Sequence, residues 1–324
     1  MSADGTLPPA LALLAVVGTV VVAALRWDRW RLLARGCVAA ASALSLAAAV
    51  ALQVNRLTEA YPPVAAPAAV AATGSRLLTV RVAGRDSRLT LPMYVYLPAA
   101  YRTGHTRFPV IEALHGYPGS PRTWISKLNV QSELDREITS GRMAPTVVLF
   151  PYQTPRHLLD TECTNLVGGP QSETFLTADV PAYARAHFRV RGDRSGWALT
   201  GYSAGGFCAV NLALRHPSEY AAAAVLSGYA SPGIRIGDGS ENTVNNPAWR
   251  LRNLPRPPIP LWLGWAADDR GTRADSAELA RLARPAMPVT TAVVPRGGHS
   301  DAVWQQMEPP AFDWLSAHLA RPLP

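Results

Sequence analysis

The sequence predicts an α/β domain with a mostly parallel central sheet and helices on both faces, preceded by two apolar segments long enough to cross a bilayer. Two observations carry the first statement: from Leu77 onward, apolar runs of strand length alternate with helix-length stretches, and Gly/Pro-rich turns close several of those runs. Strands that alternate with helices are joined by crossovers, and crossovers make parallel sheets buried on both sides. A third observation carries the rest. Leu7 to Leu25 and Gly36 to Val54, 19 residues each, contain no charge, and about 20 apolar residues span a hydrocarbon core.

Taken in order, residues 1–55 read as a membrane anchor. The stretch between the two candidate spans, RWDRWRLLAR, holds Arg26, Arg29, Arg31 and Arg35 with Trp27 and Trp30. Cationic loops stay cytoplasmic and tryptophans favour the interface, which puts this loop inside and both flanking ends outside. The N-terminus MSADGTLPPA lacks the basic region of a signal peptide. Residues 56–75, ending YPPVAAPAAVAATGS, are Pro/Ala-rich and read as a spacer. Residues 76–324 then form the α/β domain, which this topology makes extracytoplasmic.

Within that domain Leu77 to Val82 and Leu89 to Leu97 read as paired strands, and Phe108 to Leu114 as a buried strand broken only by Glu112. A helix is expected over Leu128 to Ser140, a strand over Pro145 to Phe150 and a helix over Leu176 to His187. Strands follow at Ala221 to Leu226, Ile259 to Trp265 and Val289 to Val294, with helices at Arg273 to Ala283 and Ala302 to Leu319. Gly228 to Pro258 reads as a long loop, equally a lid or a plain surface excursion.

The chemistry gathers around WALTGYSAGGFCAVNLALRHP, Trp197 to Pro217. A strand runs into Gly201-Tyr202-Ser203-Ala204-Gly205 and a helix leaves it, the context a nucleophile elbow requires. Gly201 and Gly205 remove side chains that would clash where strand turns into helix, and the helix N-terminus sits where negative charge develops. A serine nucleophile needs a base and an orienting acid. His299, after two glycines and between the last strand and the last helix, is the candidate base. Asp269, ending the run LWLGWAADD, is the preferred acid, with its neighbour Asp268 as the alternative. Two backbone N–H groups should stabilise the oxyanion: Ala204, directly after the serine, and Tyr117 in the turn His115-Gly116-Tyr117-Pro118-Gly119. Pro118 has no N–H to offer.

Composition removes other classes. The 31 cationic residues, all arginine but Lys127, give a net charge of +8, yet they are spread along the chain with no basic stripe interleaved with aromatics, so no nucleic-acid partner is implied. No C-x-x-C pair or H-E-x-x-H motif occurs, so neither metal nor cofactor is implied. Of three cysteines, Cys37 lies in the second apolar segment. Cys163 and Cys208 form a disulfide or stay as two buried thiols, the first being open to an extracytoplasmic domain.

LHGYPG, GYSAGGFCA, the strand ending AADD, and GGHSDAVW with the closing FDWLSAHL together resemble the Putative esterase branch of the α/β-hydrolase superfamily, which includes esterase-D-like enzymes and mycolyltransferases. The resemblance covers roughly three quarters of the chain. It implies an α/β-hydrolase fold, with Ser203, Asp269 and His299 as catalytic triad and Tyr117 and Ala204 as oxyanion donors. The expected activity is hydrolysis of a small-molecule or lipid carboxylic ester through an acyl-enzyme. Alternatives are acyl transfer to a sugar or glycerol hydroxyl, and a silent hydrolase fold that only binds.

Overall fold

The computed structural model describes residues 7–26, 32–58, 74–284 and 286–324. Trp27, Arg29, Trp30 and Arg31 of the basic loop, and residues 59–73 of the spacer, lie outside the described residues. The chain divides into two compact units, Met1–Ala68 and Ala69–Pro324.

The first unit is a pair of helices, α1 (Leu7–Arg26) and α2 (Leu32–Thr58), packed on each other. One polar pair joins the helices: Ser42 Oγ donates to Thr19 Oγ1 at 2.9 Å, and the Thr19 hydroxyl back-bonds to the carbonyls of Ala15 and Val16. Apolar side chains such as Leu14, Val20, Leu44 and Val50 stay exposed. Among the described residues one stretch, Arg35–Arg56, is long and apolar enough to cross a membrane, while Leu11–Val22 is a shorter apolar helix. The expectation of two spans is therefore met by one candidate.

The second unit is built on eight strands: β1 (Arg76–Ala83), β2 (Thr90–Leu97), β3 (Val110–Leu114), β4 (Val147–Pro151), β5 (Trp197–Tyr202), β6 (Ala222–Leu226), β7 (Leu261–Ala266) and β8 (Val289–Val294). Their order is β1-β2-β4-β3-β5-β6-β7-β8. β2 runs antiparallel to both β1 and β4, and every other pair is parallel. Helices α3 (Arg122–Ser126), α4 (Val130–Thr139), α5 (Ser172–Thr174), α6 (Val180–His187), α7 (Ala204–Arg215), α8 (Pro247–Asn253), α9 (Arg273–Ala283) and α10 (Asp301–His318) complete the chain.

Side chains alternate across a strand, so a sheet covered twice needs two cores. Val110, Leu149, Leu199, Val225 and Leu263 point to one, shared with Val180 of α6, Val210 of α7 and Leu279 of α9. Their neighbours Ile111, Val148, Ala198, Ala224 and Trp262 point to the other, shared with Leu134 of α4 and Phe312 and Leu315 of α10. Each fully buried Leu, Val or Phe contributes about 1.5–3 kcal/mol.

Three elements differ from expectation. The predicted loop over 228–258 contains α8, whose N-cap Asn246 accepts from Trp249 N at 2.9 Å and whose first residue is Pro247. The helix expected from Leu176 starts at Ser172 and passes through a π-turn at Phe175–Asp179 before α6. Pro181 lacks the N–H that would bond to Thr177, and a widened turn absorbs that loss. The short α3 has no counterpart in the sequence reading.

Candidate active site

β5 delivers Ser203 at its carboxyl end in a conformation few residues adopt, with φ 56° and ψ −122°. The neighbours hold it there: Ser203 N donates to Leu226 O at 2.9 Å and its carbonyl accepts from Phe207 N at 3.0 Å. A Cβ at position 201 would lie 2.1 Å from Gly205 O, and one at position 205 would lie 2.2 Å from Leu114 O. No side chain fits at either glycine, which is the steric condition for so sharp a turn.

The structure brings His299 and Asp269 to this serine. His299 Nε2 lies 2.8 Å from Ser203 Oγ, and His299 Nδ1 lies 2.8 Å from Asp269 Oδ2. Asp269 is 2% exposed and fully engaged: Gly271 N and Thr272 N donate to Oδ1, and Thr272 Oγ1 donates to Oδ2 at 2.6 Å. Burial alone would raise its pKa, but the bonds from Thr272 and His299 outweigh burial and hold it below the usual carboxylate range. Its exposed neighbour Asp268 does a different job. It accepts from Gly298 N at 2.8 Å and Gly297 N at 3.2 Å, bonds that keep its pKa low and fix the loop carrying His299. Gly297 and Gly298 have positive φ, 126° and 62° respectively. Trp304 stacks on Tyr202 and meets the His299 ring edge-on, which makes it a backing for the imidazole.

The His115–Gly119 turn lies against the elbow. A Cβ on Gly116 would come 2.7 Å from the Tyr202 ring and 3.2 Å from Ser203 Cβ. Tyr117 follows, its ring 39% exposed and its hydroxyl donating to Leu158 O at 2.9 Å. Ala204 is the first residue of α7, so its N–H has no carbonyl one turn back within that helix.

Side chains that sequence reasoning missed hold this turn from behind. Gln153 Nε2 donates to His115 O at 3.2 Å, and Thr161 Oγ1 donates to Gln153 O at 3.3 Å. The cysteine pair, unlike these, is named from the sequence as a disulfide or two thiols: Cys163 and Cys208 form the disulfide, with Cα atoms 5.6 Å apart, tying the loop after β4 to α7. Glu162, buried beside it, accepts from Tyr229 OH at 2.7 Å and Gly233 N at 2.8 Å. Desolvation pushes Glu162 up to about 7 against those two bonds. Only Thr272 had a readable signal, the D-x-x-T spacing of a side chain capping its own turn.

A cleft of about 740 Å³ opens beside His299, lined among others by Glu162, Tyr229, Gly233, Arg270 and Asp275. Of the loop residues 228–258, Tyr229 lines this cleft, whereas Asn245 is buried and bonds to Asn211 and Ser240.

The model of the Putative esterase family matches residues 89–318, more than two thirds of the chain. The chain belongs to that family. An uncharacterized protein of Corynebacterium glutamicum is 25% identical over 245 residues, covering 69% of this chain and 56% of its own length. An esterase of Mycobacterium tuberculosis is 30% identical over 139 residues, 42% of this chain and 29% of its own. The chain thus spans about half the length, or less, of these curated relatives. Among solved structures, a ferulic acid esterase superposes with a TM-score of 0.68 at 20% identity, over 76% of this chain and 100% of the other. An S-formylglutathione hydrolase from Agrobacterium tumefaciens gives 0.65 at 16% identity, over 78% and 98%. These likenesses show the fold, an α/β sheet shared with α/β-hydrolase esterases. Family and relatives together support a carboxylesterase-like hydrolase.

Proposed function

We propose that this protein is a membrane-anchored serine esterase whose catalytic domain works outside the cytoplasm. The observation that carries the chemistry is the unbroken pair of hydrogen bonds from Ser203 through His299 to Asp269, each 2.8 Å. In this reading His299 Nε2 takes the serine proton while Oγ bonds to the ester carbonyl carbon. The proton then passes to the departing alcohol oxygen as its bond to carbon breaks. Water repeats the sequence, its proton going to His299 and then to Ser203 as the acid leaves. Asp269 holds the imidazole tautomer and stabilises imidazolium. The N–H groups of Tyr117 and Ala204 receive the oxyanion, and one such donor stabilises it by about 2.7–4 kcal/mol.

Location outside the cytoplasm is supported by the Cys163–Cys208 disulfide, since such bonds persist in oxidising compartments. Anchoring is supported by the exposed apolar faces of α1 and α2. Fluorophosphonate labelling with peptide mapping tests the chemistry: a label on Ser203, absent in His299→Ala, is expected, and an unlabelled Ser203 overturns the esterase reading. Protease added to intact cells should digest the catalytic domain. Its survival there overturns the orientation.

A further inference from the structure

We propose that the cleft beside His299 is the subsite for the alcohol portion of the ester, and that Glu162 and Asp275 make it select neutral or cationic alcohols over anionic ones. The inference rests on the esterase reading and adds a substrate class to it. Its first step is positional. The leaving alcohol must take its proton from His299, so the alcohol sits on the side of the serine that the imidazole faces. His299 lines the cleft of about 740 Å³, together with Tyr229, Gly233 and Arg270. The acyl portion then extends away from it.

The second step is charge. The cleft wall carries four carboxylates, Glu162, Asp268, Asp269 and Asp275, against the single guanidinium of Arg270. Asp269 is committed to His299, and Asp268 to the backbone of Gly297 and Gly298. Glu162, 3% exposed, and the half-buried Asp275 stand apart from the loop carrying His299 and act on a bound group through their charge. Both are locked in place: Glu162 by Tyr229 OH and Gly233 N, and Asp275 by Ala230 N at 3.3 Å. Tyr229 is fixed in turn by stacking on Phe207, with ring centroids 5.0 Å apart. Arg270 is exposed, where water screens it, while Glu162 is buried and its field is screened least. The field in the cleft is therefore negative, and a carboxylate or phosphate on the alcohol is repelled before its ester reaches Ser203.

Three acetate esters that differ in the charge of the alcohol test this: acetylcholine, glycerol monoacetate and acetoxyacetate. Release of acid is followed by pH-stat titration at pH 8, above the value near 7 to which burial raises Glu162. Each kcat/KM is divided by the ester's own rate with hydroxide. Acetoxyacetate should fall at least tenfold below glycerol monoacetate, with acetylcholine equal to it or above. Glu162→Gln should raise the ratio of anionic to neutral ester at least threefold. Asp275→Asn, at a half-buried position, should do the same if the first variant folds poorly. Anionic and neutral esters within twofold of each other in the unaltered protein, or a ratio unmoved in both folded variants, overturns the proposal alone. Failure to hydrolyse any of the three, with no fluorophosphonate on Ser203, overturns the esterase reading beneath it.

Discussion

Two walls meet at Ser203, and they are held by different means. The wall carrying His299 is fixed by bonds between the turns that follow β7 and β8. Asp269 bonds to Gly271 and Thr272, and Asp268 bonds to Gly297 and Gly298. The opposite wall, the His115–Gly119 turn and the loop after β4, is fixed by partners far along the chain: Gln153 on His115, Glu162 on Tyr229, and Cys163 on Cys208 across 45 residues. The first wall is made of two short turns, one capped by its own Asp269 and tied to the other through Asp268. The second depends on a covalent tie, and its failure should appear as lost stability before it appears as lost chemistry.

The largest effect that would sharpen this contrast is Asp269→Asn, which leaves the geometry but fixes the wrong imidazole tautomer. We expect kcat to fall about 10⁴-fold with little change in KM, measured by steady-state kinetics on a p-nitrophenyl ester. A fall of under tenfold would break the assignment of Asp269. Next comes the paired change Cys163→Ser with Cys208→Ser. Closing a loop of this length removes unfolded-state entropy worth about 4 kcal/mol, so thermal or denaturant unfolding of the parent and the double variant should differ by roughly that amount. Equal stability would mean the second wall does not lean on the disulfide.

Glu112 tests the strand beneath the second wall. It is fully buried on β3, with Tyr220 OH at 3.5 Å as its partner, and burial pushes it up to about 8. Its folded pKa lies above the ordinary value of 4.5, so the folded state holds a proton the unfolded state has lost, and stability falls as pH rises from 4.5 towards 8. At pH 7 that cost is about 3 kcal/mol. Glu112→Gln should therefore flatten the pH–stability curve above pH 4.5 in denaturant titrations, and an unchanged slope would refute it. The smallest effect belongs to Asp268→Ala, which frees two exposed N–H groups that water can satisfy. About a tenfold drop in kcat is expected; a loss as deep as that of Asp269→Asn would show that the two neighbours share one role.

The same division governs what the sequence made legible. α9 and β8 fall on the residues their periodicity marks, and Ser203, Asp269 and His299 are readable because each sits at a turn whose flanking glycines and strands announce it. Asp268 and Asp269 look alike in sequence. Only the direction of each side chain separates a partner for His299 from a clamp on its loop. Glu162 and Gln153 carried no signal at all, since their partners are fixed by packing between distant segments. α8 was readable in hindsight from Asn246-Pro247, a cap followed by a first-turn proline, but the surrounding Gly and Asn residues masked it.

One consequence concerns β3 and the turn it feeds. His115, also buried, is pushed down to about 4 by desolvation, against its bond from Nδ1–H to Gly116 O. With Glu112 raised to about 8 and His115 lowered to about 4, the strand end leading to Tyr117 is mostly uncharged in the middle of that range. An ionised carboxylate there would oppose the negative oxygen formed next to Ser203. The strand is electrically silent by burial, and the charge that changes during turnover is left to the histidine on the other side of the cleft.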